Sequence, residues 1–302
     1  MPIISTLANG SGRGYRAGGA LPPTSIDYLV IAGGGGTNSP NANSRGGGGA
    51  GGYLTSSLAV TAGTSYTVTV GAGSDGSSNG SDSVFASITT SGGGMVRTVN
   101  PGSVLTIGSG GSGAGDFSVP STGNTPATSP SQGNAGGLGA ANPGSGGAGG
   151  GGGAGSVGGT GASGSPATGG NGGSGATSSI NGTSTARAGG GGGGAYNNST
   201  PSAVTPGTGS AGGGPAGGYL SALNQTSSKN ATANTGGGGG GNGTGASGAP
   251  YVSNGGSGIV ILAYPDSFAA LTSISGGLTY SQPTRAGYRV YQFTSGTGTV
   301  TI

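Results

Sequence analysis

The side chains that carry most enzyme chemistry are nearly missing from this chain of 302 residues. It has no His, no Cys and no Glu, and its acidic residues are Asp27, Asp75, Asp82, Asp116 and Asp266. A Ser-His-Asp triad or a thiol dyad cannot be assembled, and a paired-carboxylate site would need two distant aspartates to meet. Without Cys there is neither a disulfide nor a thiolate metal site. The sequence predicts a protein that is not an enzyme and that holds no metal or cofactor.

Two motif-like patterns share one loop that follows a predicted strand. Residues 71–76 match the GxGxxG spacing of dinucleotide-binding turns, but no helix-forming run follows them. Residues 75–80 match the first half of a calcium loop, whereas the last position of that loop would be Ala86, which has no carboxylate. We interpret the loop as a polar hairpin turn, with a weak ion site as the alternative.

Aromatic side chains beside amides are the best candidates for binding a partner. They lie in or beside polar interruptions of a long glycine-rich region, at residues 117–134, 196–206 and 219–235. Aromatic faces stack on sugar rings and protein loops, and amides both donate and accept hydrogen bonds. The alternative is that these segments are solvated turns whose rings cover local apolar surface. The candidate receptor-binding residues are Phe117, Tyr196, Asn197, Asn198, Tyr219, Asn224, Gln225, Lys229, Asn230 and Tyr251.

Glycine organises the region that must position these loops. Between residues 144 and 175, glycine recurs at every third position in one phase, with Ala167 as the single interruption. Three residues per turn is the repeat of the polyproline II helix, which has no internal hydrogen bonds. Its N–H and C=O groups must therefore bond neighbouring segments, and glycine lets such segments approach closely. We expect a bundle of packed polyglycine II helices with polar loops over residues 108–248; a flexible Gly/Ser-rich linker is the alternative.

The strand-forming residues lie toward the two ends of the chain. Residues 26–32 and 258–264 are apolar runs, and residues 58–60 and 66–70 alternate around a turn, which predicts a hairpin. The predicted fold is all-β with polyglycine II and almost no α-helix. A β-sandwich-like base is expected from residues 26–107 with 249–302, and residues 1–25 are expected to form an extended attachment arm.

Charge and hydropathy exclude several partners and compartments. The net charge is +3, and the eight basic residues are too dispersed to indicate a nucleic-acid-binding patch. The longest apolar run, at residues 259–264, is too short to span a bilayer, so no membrane insertion is expected. The N-terminal residues lack the basic and apolar regions of a secretory signal peptide. These features favour a protein that is assembled in the cytoplasm of a host into a particle released by lysis.

Several strand-to-glycine junctions resemble a known group of proteins. The stretches are DYLVIAGGGG at residues 27–36, GGGGAGGYL at 46–54, LAVTAGTSYTVTVGAG at 58–73 and SGIVILAYPDSF at 257–268. Together they resemble the glycine-rich-domain proteins found among phage virion proteins, especially those of marine phages. The resemblance covers residues 26–73 and 255–302, and it implies a role on the virion surface. In some tail-fibre tip adhesins of this kind, packed polyglycine II helices carry variable loops that bind the host.

Three functions follow as hypotheses. The first is a phage tail-fibre or fibre-tip adhesin whose loops recognise a host cell-surface glycan or outer-membrane protein. Its other expected partners are virion proteins, including further copies of itself. The second is a structural virion or filament subunit without receptor binding. The third is an ice-binding protein, which regular ranks of Thr or Ala on a flat face would favour; the sequence has no such regular rank.

Overall fold

The apolar and β-branched runs near the two ends of the chain form one antiparallel sheet of nine strands in the computed structural model. Its strands are Ser25–Ile31 (β1), Tyr53–Ala59 (β3), Ser65–Val70 (β4), Ser83–Phe85 (β5), Ile88–Thr90 (β6), Ile259–Pro265 (β17), Ser273–Ile274 (β18), Leu278–Ser281 (β19) and Tyr288–Thr301 (β20). Their order in the sheet is β3-β1-β17-β20-β4-β5-β6, and β18 and β19 also pair with β20.

The sheet curls nearly closed around the main hydrophobic core. Along β1, Ile26, Tyr28 and Val30 face this core, where the ring centroid of Tyr28 lies 6.1 Å from that of Phe85. Leu29 and Ile31, which alternate with them, belong to a second apolar cluster on the outer face of the sheet. Both faces of β1 and β17 are thus buried, which explains their continuous apolar sequences. The predicted sandwich-like arrangement is not confirmed, because these strands belong to one curled sheet.

The predicted hairpin between residues 58–60 and 66–70 is wrong. The strand β3 pairs with β1, whereas β4 pairs with β20 and β5. The segment between β3 and β4 crosses from one part of the curled sheet to another, and Gly63 donates its N–H to the carbonyl of Ile302. The alternating sequence correctly indicated two strands with one buried face, but alternation does not specify the partner of a strand.

Short strands connect the glycine-rich segments outside this sheet. Their bounds are Thr37–Ser39 (β2), Val96–Val99 (β7), Val104–Ile107 (β8), Ala140–Asn142 (β9), Ser145–Gly147 (β10), Ala167–Thr168 (β11), Ala176–Ser178 (β12), Thr185–Arg187 (β13), Ala195–Asn197 (β14), Val204–Thr205 (β15) and Tyr251–Ser253 (β16). One four-stranded sheet has the order β16-β2-β7-β8, and a three-stranded sheet has the order β14-β10-β9. Two further pairs are β11 with β15 and β12 with β13.

These elements make the described chain all-β, without an α-helix. The structure describes residues 20–39, 46–99, 104–117, 119, 121–142, 144–197, 204–214, 229–243 and 251–302. Within these ranges there is no helix with the length and apolar character needed to cross a membrane. Most of the predicted attachment arm, at residues 1–19, lies outside the described residues, and so do parts of the three predicted loops.

Backbone hydrogen bonds join the glycine segments between the strands. Consecutive residues of one segment donate to different neighbouring segments, and residues three positions apart donate to the same neighbouring segment. Residues 47–52 donate in turn to three other segments, at N···O distances of 2.8–3.1 Å. The pairs, donor first, are Gly47 to Gly149, Ala50 to Gly152, Gly48 to Gly239, Gly51 to Gly236, Gly49 to Gly94 and Gly52 to Ser91.

Each of the central segments is surrounded in this way by other segments. Carbonyl groups of residues 47–52 accept hydrogen bonds from residues 32, 35, 112, 115 and 191. The segments of these donors are three further neighbours, in addition to the three segments to which residues 47–52 donate. Residues 148–153 and 189–194 have the same arrangement of neighbours, and both segments are almost completely buried. A methyl group at Gly151 would lie 1.9 Å from the carbonyl oxygen of Gly48, so such close packing requires glycine.

The glycine segments carry the chain away from the nine-stranded sheet and back. Residues 47–52 lead directly into β3, so residue 52 lies beside the sheet and residue 47 lies away from it. The N–H of Gly47 donates a hydrogen bond to the carbonyl of Gly149, which closely follows β10 in the chain. The sheet of β9, β10 and β14 therefore lies at the opposite end of the glycine segments, and we call this end the far end.

Candidate functional site

Two of the predicted aromatic residues meet at the far end. The rings of Phe117 and Tyr196 pack edge to face, with their centroids 6.2 Å apart and an interplanar angle of 76°. This is a favourable geometry for two aromatic quadrupoles. Both side chains are only half-buried, so the pair also presents surface to solvent. We call these two residues the aromatic pair.

Strand pairing and one glycine create the place where the aromatic pair lies. The strand β14 carries Tyr196 opposite Gly146 of β10. A Cβ atom at Gly146 would come within 2.7 Å of Cε1 of Tyr196 and 3.1 Å of Cε1 of Phe117. Both rings therefore cover the backbone of β10, and any larger residue at position 146 would displace them.

The backbone that precedes Phe117 is fixed by hydrogen bonds to the neighbouring segment. Asp116 is fully buried, and its N–H donates to the carbonyl of Gly137 at 3.2 Å. Its own carbonyl accepts the N–H of Gly139 at 2.5 Å. Asp116 also forms a parallel bridge with Leu138, whose side chain is 43% exposed. These bonds hold in place the backbone from which the side chain of Phe117 extends.

Asn197, which follows Tyr196 in β14, holds the strand that carries this ring against a neighbouring turn. Its side chain is buried, and Nδ2 donates to the carbonyl of Gly164 at 3.2 Å. The N–H of Gly164 donates in turn to the hydroxyl of Ser145 at 3.1 Å. These two bonds attach the turn at residue 164 to the strands β10 and β14. Asn197 thus positions its neighbours, because its amide is directed into the protein.

The other predicted site residues lie elsewhere. Lys229 and Asn230 belong to a different segment, in which the carbonyl of Lys229 accepts the N–H of Gly240 and Oδ1 of Asn230 accepts the N–H of Asn254. Tyr251 begins β16, where it pairs with Ser39. Asn198, Tyr219, Asn224 and Gln225 lie outside the described residues. The structure therefore brings together Phe117, Tyr196 and Asn197 from the predicted set.

The loop at residues 75–80 is a polar turn. Asp75 accepts hydrogen bonds at Oδ1 from both the N–H and the hydroxyl of Ser77. These bonds lower the pKa of the Asp75 carboxyl, because they stabilise its charged form. Among the residues that the structure describes, no group of three or more His, Cys, Asp or Glu side chains is arranged to hold a metal ion.

Sequence reasoning selected both members of the aromatic pair but missed the residues that position them. Gly146 and Ser145 belong to a Ser-Gly-Gly run that resembles many others in this chain. Only the register between β10 and β14 reveals that a side chain at position 146 would collide with both rings.

Comparison with known proteins identifies a family without indicating a ligand. A family model described as a glycine-rich domain matches residues 16–265. No curated protein and no solved structure gives a significant match.

Proposed function

The chain belongs to the glycine-rich domain family, and we propose that it is a phage tail-fibre or fibre-tip adhesin. In this proposal the far end binds a glycan or an outer-membrane protein on the host surface. The nine-stranded sheet joins the adhesin to other virion proteins or to further copies of itself. The protein is then a component of the virion surface that is assembled in the host cytoplasm.

The proposal requires a stiff scaffold, and we infer that the glycine segments are polyglycine II helices packed in a bundle. Two observations support this inference. The hydrogen-bond partners of residues 47–52 repeat every third residue, which is the period of the polyproline II helix. The segments at residues 148–153 and 189–194 likewise bond neighbours on all sides. Such a bundle satisfies its buried backbone groups without needing a large apolar core.

The aromatic pair is the observation that carries the receptor-binding proposal. Its rings are half exposed, lie at the end of the scaffold remote from the nine-stranded sheet, and are held by Gly146 and the buried Asp116. Rigid aromatic rings give large contact area at a low entropic cost, and their faces stack on sugar C–H groups or on peptide loops. With only 4% charged residues in the chain, recognition relies on shape, stacking and hydrogen bonds.

A binding assay with the purified full-length chain tests this proposal. The labelled chain is applied to a panel of bacterial strains, and the double variant Phe117→Ala/Tyr196→Ala is compared with Tyr280→Ser. Tyr280 is a suitable control because it is 43% exposed but belongs to β19 in the nine-stranded sheet. We expect binding to at least one strain, with a loss of roughly tenfold or more in the double variant. The proposal fails if no strain is bound, or if the two variants bind alike.

A structural virion subunit is the second candidate, and a different surface favours it. The side chains of Val157 and Leu138 are 60% and 43% exposed on two neighbouring glycine segments. These segments are adjacent because Gly161 donates its N–H to the carbonyl of Leu138. Exposed aliphatic side chains on the side of the bundle suit contacts with neighbouring subunits. Antibody labelling of intact particles distinguishes the two functions: an adhesin is expected at a fibre tip, and a structural subunit along a shaft, capsid or filament.

A further inference from the structure

A second candidate binding surface lies on the nine-stranded sheet, at the opposite end of the molecule from the aromatic pair. The hairpin of β12 and β13 lies over the outer face of this sheet, and an open groove of about 440 Å³ remains beside it. The residues that line it include Asp27, Thr55, Ser57, Ser179, Ile180 and Arg285. The groove is open to solvent, so it would cover one face of a small ligand and leave the other face in water.

The carboxylate in this groove is held in place by the sheet. Asp27 of β1 pairs with Ser57 of β3, and Oδ1 of Asp27 accepts a hydrogen bond from the Ser57 hydroxyl at 2.5 Å. An ionised carboxylate can accept about four hydrogen bonds. Asp27 therefore has a fixed orientation and retains most of its capacity to accept hydrogen bonds from a ligand.

The guanidinium group on the other side of the groove is also fixed. Nη1 of Arg285 donates to the carbonyl of Ile180 at 3.1 Å, and its Cζ lies 3.5 Å from the centroid of the Tyr288 ring. This stacking holds the guanidinium plane against the ring. One of about five N–H donors is thus occupied, and the others remain for a ligand.

The two charged groups lie in the same groove without neutralising each other directly. In the described part of the chain, no ion pair joins Asp27 to Arg285. An anionic ligand near Arg285 would be opposed by Asp27, and a cation near Asp27 would be opposed by Arg285. A neutral ligand that both donates and accepts hydrogen bonds satisfies both groups. Adjacent hydroxyl groups on a sugar ring have this property.

From this arrangement we propose that the groove binds a neutral saccharide. Asp27 accepts hydrogen bonds from the sugar hydroxyls, Arg285 donates to their oxygens, and the hydroxyl of Ser179 adds a further polar contact. Ile180 lines the groove but is only 8% exposed, so it adds a small apolar area to the floor of the site. The site is independent of the proposed function, because it lies in the nine-stranded sheet and requires neither the aromatic pair nor a host receptor.

The test is a titration of the full-length chain with neutral sugars, monitored by saturation-transfer NMR. Glucose, galactose, mannose, N-acetylglucosamine, lactose and maltose are the probes. Glucuronic acid, followed in the same way, and calcium chloride, followed by isothermal titration calorimetry, are the charged comparisons. We expect at least one neutral sugar to bind. Asp27→Asn and Arg285→Gln are each expected to weaken this binding by roughly tenfold or more, whereas Asp266→Asn, an exposed change elsewhere, is expected to leave it unchanged.

Thermal unfolding of each variant separates a loss of the site from a loss of the fold. The proposal is supported if a well-folded Asp27→Asn or Arg285→Gln variant loses sugar binding while Phe117→Ala/Tyr196→Ala retains it. It is overturned if no neutral sugar binds, if only glucuronic acid or calcium binds, or if both groove variants bind as the unmodified chain does. Loss of binding in the aromatic-pair variant alone would also overturn it, since the sugar would then occupy the far end.

Discussion

Replacement of Gly151 by alanine tests the packing of the glycine segments at their centre. Gly151 donates its N–H to the carbonyl of Gly191 and accepts the N–H of Gly173, at 2.9 and 2.8 Å. A Cβ atom at this position would lie 1.9 Å from the carbonyl oxygen of Gly48 and 2.5 Å from its carbonyl carbon. The substitution therefore forces two backbones apart in a place where neither can move without disturbing other neighbours.

The size of the effect follows from the bonds that this movement breaks. The two segments must separate by about 1.5 Å to restore an ordinary contact, which disrupts hydrogen bonds of both Gly151 and Gly48. A buried backbone group left without a partner costs about 1–3 kcal/mol, so the loss of two such bonds predicts a destabilisation of roughly 2–6 kcal/mol. The reduced entropy of the unfolded chain offsets only about 0.4–1 kcal/mol of it.

Urea unfolding followed by tyrosine fluorescence measures this difference, and Gly276→Ala is the matched control. A Cβ atom at Gly276 meets nothing within 4 Å, so this variant should equal or slightly exceed the stability of the unmodified chain. The reasoning is refuted if Gly151→Ala unfolds within about 0.5 kcal/mol of the unmodified chain, which lies within the usual effect of a surface substitution.

Two further substitutions test buried polar groups. Arg187 is 6% exposed, its Nη1 has no hydrogen-bond partner, and burial lowers its pKa. Replacing it by an apolar side chain of similar length removes this buried charge, so Arg187→Met should raise the free energy of unfolding by about 1–2 kcal/mol. A lower urea midpoint for this variant would contradict the prediction. Burial raises the pKa of Tyr264, so the neutral form is favoured in the fold and its contribution to stability is lost as the pH rises above the unfolded value of about 10. Tyr264→Phe should lose less stability than the unmodified chain between neutral pH and pH 11, and parallel pH profiles would be the contrary result.

The strands that are buried on both faces were predictable from the sequence, but their partners were not. The apolar runs in β1 and β17 indicate strands without ambiguity, because burial on both faces requires a continuous apolar sequence. The pairing of β4 with β20 joins residues that are more than 220 positions apart in the chain. A local pattern has no information about such a pairing, and this is why the predicted hairpin was wrong.

The three-residue period of glycine also indicates whether a glycine segment is surrounded by other segments or lies at the surface, which the sequence alone did not reveal. At residues 156–161 the buried Gly158 alternates with exposed Val157 and Thr160, because this segment has neighbours on one side only. At residues 148–153 every position is Gly or Ala, since neighbours surround the segment. A single phase of glycine therefore indicates a segment at the surface of the glycine-rich region, and a glycine run in which no single phase stands out indicates the interior of that region.

The candidate site was predictable in its residue types but not in its geometry. Aromatic residues in polar interruptions selected Phe117 and Tyr196, which are 79 positions apart in the sequence. Their contact depends on the register of β10 with β14 and on the missing side chain of Gly146. The groove at Asp27 and Arg285 had no sequence signal, because four separate parts of the chain converge there only in the folded protein.

Amide hydrogen exchange over residues 47–52, 148–153 and 189–194 tests most directly whether the glycine segments form a hydrogen-bonded scaffold. In that case these amides should be among the slowest to exchange in the protein, with protection approaching that of β1 and β17, because they open only with extensive unfolding. Exchange at the rate of an unstructured peptide, with protection confined to the nine-stranded sheet, would show that the glycine region is a flexible linker and would contradict the account.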